Sequence, residues 1–468
     1  MAKKYLIETF GCQMNVHDSE RMAGLLDQAG YEPTRDDLEA DVIVINTCSV
    51  RERAEEKLYT RLGELRVLGE ASGRRPLVAV AGCVAQQEGS SLLSKTNGHV
   101  IDVVVGTQRL KMLPLLIERA AESAFAEVDI NPWDDVTFPL GIAHRADPVK
   151  AYVTIIEGCN DHCAFCVVPH TRGHERMRPK ADILDDVREA ARSGRREVQL
   201  LGQIVNHYQA PDDPRCDFAQ LLAEVNDVDG VERIRFASPH PRHTGARLIT
   251  AVRDLSKVCK HMHLPVQSGS SRVLAAMRRR HTREQYLDLV AQIREAIPAA
   301  TLSTDMIVGF PGETAADFEQ TLSLVAAVGY HSMFSFKYSP RPNTLASKRM
   351  IDDVTADEKT ARIVALQSLQ RQIQTALHER LVGRTVEVLV DSASRRRPRA
   401  GETDEAQISG RTSGNTVVNV SAPPGHERAE AWIGRTVPVM IRRAGPNSVS
   451  GVVAGGAPAS NDVGINPA

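Results

Sequence analysis

The chain has 468 residues, 42% of them hydrophobic and 25% charged, with a formal net charge of −2. That length exceeds what one hydrophobic core supports, so roughly two to four domains are expected. The near-neutral balance excludes a polycation, so any nucleic-acid contact must come from a local basic surface. Only 4% of the residues are aromatic, which argues against a large base-stacking platform. No apolar stretch is long enough to span a bilayer, and the opening MAKKYLIET lacks the cleavage site of a signal peptide. A reducing cytoplasm is the expected compartment. Disulfides are rare there, so the eight cysteines call for metal binding or burial.

The predicted elements make an α/β multidomain protein. Residues 4–9 read as a strand, 15–29 as an amphipathic helix and 41–46 (DVIVIN) as a continuous apolar strand covered on both faces. A charged helix at about 50–68 follows, then strands at 77–81 and 100–105. This βαβα order predicts a doubly wound, flavodoxin- or Rossmann-like domain over 1–122. Asn131-Pro132, Phe138-Pro139 and Asp147-Pro148 mark 123–149 as an irregular linker. From 150 to 380, strands at 152–157, 197–202, 233–237, 261–266, 302–308 and 332–338 alternate with helices, and a long helix covers 355–382. Six βα units predict a partial (β/α)6 barrel with its chemistry at the carboxyl ends of the strands. Short strands at 385–390, 406–409, 416–420 and 437–441 predict a small antiparallel β domain over 381–445. Between 380 and 447, 11 Arg against 7 Asp and Glu leave 11 − 7 = +4. Residues 446–468, rich in Gly, Ala, Pro, Ser and Asn, read as a disordered tail.

Cys159, Cys163 and Cys166 form C-x3-C-x2-C just after the first barrel strand. Eight cysteines scattered at random give this pattern about two times in a thousand. A zinc site wants four ligands, and no neighbouring Cys or His pair completes one; only His162 lies within the loop. Three thiolates on an iron–sulfur cubane leave one iron open to a small ligand. Cys12, Cys48 and Cys83 are distant in sequence but share a context, each just beyond an apparent strand. In a parallel sheet all three come to the carboxyl edge, where ligands bind. The turns at Gly11 and Gly82 leave the following thiols pointing outward. That geometry is equally compatible with a second three-cysteine site and with three independent loop or core cysteines.

The C-x3-C-x2-C spacing, with Phe165 before its last cysteine, resembles the radical-SAM superfamily. TFGCQMNVHDSE at 9–20 resembles the N-terminal motif of the methylthiotransferases, and Gln13-Met14-Asn15 is closest to the MiaB branch, which acts on isopentenyladenosine in tRNA. EGCNDHCAFCVVPHTRGHERMRP at 157–179, LLGQIVNHY at 200–208, LPVQSGSS at 264–271, STDMIVGFPGE at 303–313 and YSPRPNTLA at 338–346 are similar to later family segments. The last domain resembles the RNA-binding TRAM module. The likeness runs from about 3 to 445. Ile204, His170, 174–177 and 343–345 depart from the usual family residues and bear on fine specificity.

The resemblance implies two 4Fe–4S clusters, an auxiliary one on Cys12, Cys48 and Cys83 and the radical-SAM one on Cys159, Cys163 and Cys166. One S-adenosyl-L-methionine would methylate a sulfur held at the auxiliary cluster. A second would be cleaved to a deoxyadenosyl radical that activates the adenine carbon between its two ring nitrogens. The substrate implied is the prenylated adenosine adjoining the anticodon on its 3′ side, in a loop whose bases can be splayed out. Partners implied are the tRNA anticodon stem-loop, a flavodoxin- or ferredoxin-type electron donor and a sulfur donor system; nothing demands more than a monomer.

Phe165, Gln203, Gln267, Ser303, Asp305 and Gly309 are expected to contact the cofactor, Gly309 by letting the backbone approach the adenosyl group. Ser268 and Asn206 share the strand-end setting. Arg172, Arg176, Arg178 and Lys180, with Arg278–Arg280, His281 and Arg283, read either as solvated faces or as phosphate contacts. Arg395–Arg397 and Arg399 read as RNA-backbone contacts or a loose loop, and Cys216 and Cys259 as non-ligands. The rival readings are a methylthiotransferase acting on a ribosomal-protein aspartate or on another modified tRNA adenosine, and a non-catalytic RNA-binding iron–sulfur protein.

Overall fold

The computed structural model describes residues 2–49, 52–96, 100–123, 125–131, 143–393, 407–421 and 428–454. The N-terminal sheet holds β1 (Lys4–Phe10), β2 (Glu32–Pro33), β3 (Val42–Thr47), β4 (Leu77–Gly82), β5 (Val103–Val105) and β6 (Glu127–Asp129) in the order 2-1-3-4-5-6. Every pairing is parallel. VIVINT of β3 and LVAVAG of β4 are apolar throughout because helices cover both faces, and two separate cores form on the two sides. Glu127–Asp129 falls inside the stretch expected to be a linker. Its single valine between two acids carries no alternation signal, and pairing with β5 alone makes it a strand. Pro33 ends the other edge, where its missing N–H costs no ladder bond.

The barrel strands are β7 (Lys150–Thr154), then a short antiparallel pair β8 (Ile156–Glu157) with β9 (Arg176–Met177), then β10 (Glu197–Leu201), β11 (Arg233–Phe236), β12 (His261–His263), β13 (Thr301–Val308) and β14 (Ser332–Lys337). Two parallel three-stranded sheets, 11-10-7 and 12-13-14, meet through a single bridge between Ile234 and Val258. The barrel is therefore partial, as its six units predicted. Its interior is one continuous core, and the helix Ala356–Glu379 closes its side.

The C-terminal domain is a closed five-stranded barrel, β15 (Thr385–Ala393), β16 (Gln407–Arg411), β17 (Val417–Ser421), β18 (Thr436–Ala444) and β19 (Val449–Val453), in the order 15-16-17-19-18. Two expectations are corrected here. The sheet is not wholly antiparallel, because β17 and β19 pair in parallel. The tail does not begin at 446, because 449–453 supplies the closing strand. The glycine-rich composition hid it: Gly451 is required by packing, since a Cβ there would lie 2.3 Å from the carbonyl oxygen of Met440. Arg395–Arg397 and Arg399 lie outside the described residues, as does the tail from 455.

The turn between β16 and β17 plugs the amino-terminal mouth of the large barrel. Arg235 donates to the carbonyls of Thr412 (2.7 Å) and Ser413 (3.1 Å), Arg233 to that of Arg411 (2.5 Å), and the Thr301 hydroxyl to that of Gly414 (2.8 Å). Arg233 and Thr301 open their strands, so this docking leaves the carboxyl mouth to the N-terminal domain. Among the described residues no helix is long and apolar enough to cross a membrane.

Candidate active site: two cysteine triads

Parallel register brings the first triad together. Phe10 pairs with Thr47, and Thr47 with Gly82, so the residues just beyond these strand ends share one edge. Cys12 is there as the N-cap of the helix Gln13–Gln28, Cys48 as the first residue past β3, and Cys83 as the first residue of the helix Cys83–Glu88. The Cys48 thiol lies between the other two and hydrogen-bonds to both. These bonds from Cys48 draw Cys12 down to about 6 and Cys83 to about 7, with the Arg172 charge adding to both and burial opposing. The Cys48 thiol is correspondingly pushed up by its two sulfur neighbours and by burial.

Two buried asparagines frame this triad. Asn15 Oδ1 accepts from the Cys12 thiol at 3.3 Å, and Asn15 Nδ2 donates to Asn46 Oδ1 at 3.1 Å. Asn46 Nδ2 in turn donates to the Asn15 carbonyl and the Ser19 hydroxyl. The pair explains both glycines: a Cβ at Gly11 would lie 2.4 Å from Asn15 Oδ1, and one at Gly82, where φ is 91°, 2.2 Å from Asn46 Oδ1. Asn46 is the end of an apolar strand run, a polar residue where the pattern asks for an aliphatic one, and that break is the signal sequence reading passed over.

The second triad sits in the loop tied at both ends by β8 and β9. Burial raises Cys159 to about 11 and Cys166 to about 12, so these thiols stay protonated until a metal displaces the proton. Backbone N–H groups already point at the sulfurs, Asp161 N at Cys159 Sγ (3.5 Å) and Val168 N at Cys166. Arg279 Nη1 donates to Cys163 Sγ at 3.6 Å, while its Nη2 is anchored on the Pro265 carbonyl (2.6 Å). Met277 O accepts from Ala164 N at 2.9 Å, so the 277–279 turn grips the cluster loop from backbone and side chain alike. Arg278 and Arg280 on either side have left-handed backbones, φ 59° and 55°, and Arg279 between them is buried.

The other expected site residues separate on inspection. Phe165 packs with Phe310, Tyr338 and Met277 beneath the loop. Gln203 is half-buried just past the end of β10. Gln267 is buried in a left-handed turn (φ 79°) and pairs through its backbone with Asp305. Asp305 faces His263 at 3.4 Å. Ser303 is not brought to the strand ends: it is the third residue of the eight-residue β13, with His261 and His263 both 2.9 Å from its hydroxyl. At Gly309, where φ is 71°, the space a Cβ would fill is occupied by the Lys359 side chain, 2.3 Å away.

The basic stretch after the loop is also reassigned. Arg172 and Arg178 are buried and paired, with Asp18 (2.5 Å) and Asp186 (2.7 Å), and Lys180 bridges Asp213 and Glu224. These three are engaged with carboxylates of the chain, whereas Arg280 keeps its side chain 54% exposed, 3.9 Å from Asp161. Cys216 lies in the barrel core, and Cys259 is buried beside Ser413.

The elements that carry the two triads pack on each other. The helix that Cys83 starts packs on the helix Val168–Thr171 that follows Cys166. His17 Nδ1 meets the Thr154 hydroxyl at 2.7 Å and Arg21 bridges Glu157 at 3.1 Å, joining the first helix to the barrel's first strands. Among the described residues no three His, Cys, Asp or Glu side chains close on a point as a lone ion demands. A cubane holds its thiolates at separate corners and asks instead for three sulfurs brought to one edge or loop, N–H donors and compensating charge. Both triads meet that description.

Comparison with known proteins agrees with the three-part architecture. Family models match at 4–106 (Uncharacterized protein family UPF0004), 153–325 (Radical SAM superfamily) and 379–454 (TRAM domain). Among solved structures, the radical S-adenosylmethionine methyltransferase TsrM from Kitasatospora setae superposes with TM-score 0.53 at 15% identity, covering 74% of this chain and 77% of that one. The cobalamin-dependent S-adenosylmethionine radical enzyme OxsB gives 0.50 at 11%, covering 79% and 56%. These likenesses are of fold. Together with the partial barrel and its C-x3-C-x2-C loop, they define the class: a radical-SAM enzyme, which uses S-adenosylmethionine and a 4Fe–4S cluster.

Sequence relatives narrow it. The chain is 44% identical over 455 residues to the tRNA-2-methylthio-N(6)-dimethylallyladenosine synthase of Geotalea uraniireducens (strain Rf4), covering 96% of this chain and 98% of that protein. It is 43% identical over 442 residues to that of Moorella thermoacetica, with 94% and 96% covered. The chain belongs to the tRNA-2-methylthio-N(6)-dimethylallyladenosine synthase family.

Proposed function

We propose that this enzyme transfers a methylthio group to the C2 carbon of N6-isopentenyladenosine beside the anticodon of tRNA, giving 2-methylthio-N6-isopentenyladenosine. The observation that carries the reading is the meeting of two three-cysteine edges, one from each α/β domain, in a chain of this family. Cys159, Cys163 and Cys166 would hold the radical-SAM cluster, and Cys12, Cys48 and Cys83 a second 4Fe–4S cluster. When bound, the first cluster with S-adenosylmethionine supplies a carbon radical able to attack an aromatic C–H that acid–base chemistry leaves untouched.

The remaining work falls to the chain. The register of β1, β3 and β4 presents three sulfurs on one edge, and Asn15 and Asn46 hold their loops. Arg279 and the 277–279 turn fix the second loop against the barrel. Gln203, Gln267 and Asp305 would contact the cofactor from the barrel side. The exposed arginine Arg280 and the basic C-terminal barrel suit a polyanion. The TRAM-like barrel would grip the anticodon stem-loop with faces other than its 411–416 turn, which is engaged in the large barrel. The reading also takes in a flavodoxin- or ferredoxin-type electron donor, a sulfur donor system and a cytoplasmic monomer.

The test is nucleoside mass spectrometry after anaerobic incubation with S-adenosylmethionine, reductant, sulfide and prenylated tRNA. A methylthio-prenyladenosine establishes reaction and substrate together; deoxyadenosine with unchanged tRNA overturns the substrate. Two cubanes give about eight irons per chain and one about four. Cys12→Ala is expected to remove about half the iron and to leave S-adenosylmethionine cleavage in place.

A further inference from the structure

We infer that Arg172, a residue of the radical-SAM barrel, is the counter-charge of the auxiliary site, completing the Cys12, Cys48 and Cys83 triad from the other domain and raising the reduction potential of the cluster held there. The inference rests on the reading of that triad as a cluster site.

Arg172 is 5% exposed and Asp18, its partner at 2.5 Å, 2%. Asp18 stands on the helix that Cys12 caps. The guanidinium is thus tied to the helix that Cys12 caps, and its charge acts on both Cys12 and Cys83, with Glu157 as a further acidic neighbour. Its backbone is clamped as well. Gln108 Nε2 donates to the Arg172 carbonyl at 3.0 Å, and the Thr107 hydroxyl to the Thr171 carbonyl. Gly173, left-handed at φ 75°, has no room for a Cβ, which would lie 2.4 Å from Gln108 Nε2. The Gly173 carbonyl then accepts from Cys159 N at 3.2 Å. One dipeptide therefore touches the first cysteine of one triad and the surroundings of the other.

Charge supplies the reason. Three thiolates outweigh the positive charge of an oxidised cubane, so the assembly is an anion in a largely buried site. A buried anion without a cation is strongly disfavoured. Reduction adds a further negative charge, so a fixed cation stabilises the reduced form more than the oxidised form. Asp18 opposes this, which makes the two partners distinguishable: removing Arg172 and removing Asp18 have opposite electrostatic effects, whereas both loosen the docking of the domains.

The experiment uses the full chain with Cys159→Ala, Cys163→Ala and Cys166→Ala, leaving only the auxiliary cluster, and follows its midpoint potential by an EPR-monitored redox titration. Arg172→Met is expected to shift the midpoint to more negative potential, Arg172→Lys to restore most of it, and Asp18→Asn to shift it to more positive potential. An unchanged midpoint in Asp18→Asn, or shifts of Arg172→Met and Asp18→Asn in the same direction, overturns the counter-charge role. If Arg172→Met fails to fold, as a thermal melt reports, Asp18→Asn and Arg172→Lys decide between the two outcomes. If the triple-alanine background itself holds no iron and gives no signal, the reading of the triad as a cluster site fails, and that result is distinct from a bound cluster whose potential Arg172 does not move.

Discussion

Glycine at position 82 is where backbone and site meet. Its φ of 91° and the 2.2 Å approach of Asn46 Oδ1 exclude a side chain. Gly82→Ala is expected to cost about 1–3 kcal/mol from backbone strain alone and to push Asn46 out of its bonds with Asn15 and Ser19. Loss of roughly half the bound iron, with a lowered melting temperature, is the expected result. Arg279 makes the corresponding statement for the second triad. A charged donor on Cys163 Sγ withdraws electron density from that thiolate and raises the potential of its cluster. In a Cys12→Ala, Cys48→Ala, Cys83→Ala background, Arg279→Gln should therefore give a more negative midpoint; an unchanged value would make the contact merely structural.

The hairpin turn at 411–416 and the strand starts it meets form a unit at the scale of elements. Arg235 is buried, reaches Glu197 at 2.8 Å and uses its other nitrogens on the turn's carbonyls. Arg235→Leu takes from buried Glu197 its hydrogen-bonded cation and leaves Lys150 at 3.7 Å as the remaining partner, a change that costs up to about 3 kcal/mol. A drop of that size in a urea melt, with the C-terminal barrel becoming the first part cut by protease, is expected. The same element shows why composition misread 446–468. Val449–Val453 carries three valines, a strand signal overshadowed by the Gly-, Ala- and Pro-rich residues around it, and it pairs with both β17 and β18.

Over the whole molecule the N-terminal domain and the large barrel are joined by charge. Glu20, 5% exposed, has its carboxyl raised to about 7 by burial, partly offset by Arg145. A raised carboxyl contributes its stability fully below the ordinary value of 4.5 and loses it as the pH climbs through about 7. Glu20→Gln should therefore be more stable than the parent at pH 8 by up to about 3 kcal/mol, a gain that fades toward pH 5 in thermal melts. A gain equal at both pH values would locate the effect in packing instead.

How far the sequence reached follows the range of the interactions involved. Cys159, Cys163 and Cys166 were legible because one loop carries all three, and their spacing alone narrows the chemistry. The apolar runs of β3 and β4 were legible because a strand buried on both faces must be apolar residue by residue. The closeness of Cys12, Cys48 and Cys83 was legible only as a consequence of a parallel sheet; register is what delivered it. What tertiary structure alone decided is where the charges go. Arg172, Arg178 and Arg279 look in sequence like parts of a solvated basic face, and each is buried because a partner distant in the chain, Asp18, Cys163 or Pro265, or beyond a full helical turn, Asp186, takes up its charge or its donors. A local pattern reports which face of an element is wet or dry; the partner that permits a buried charge is set by long-range packing, and no local pattern records it.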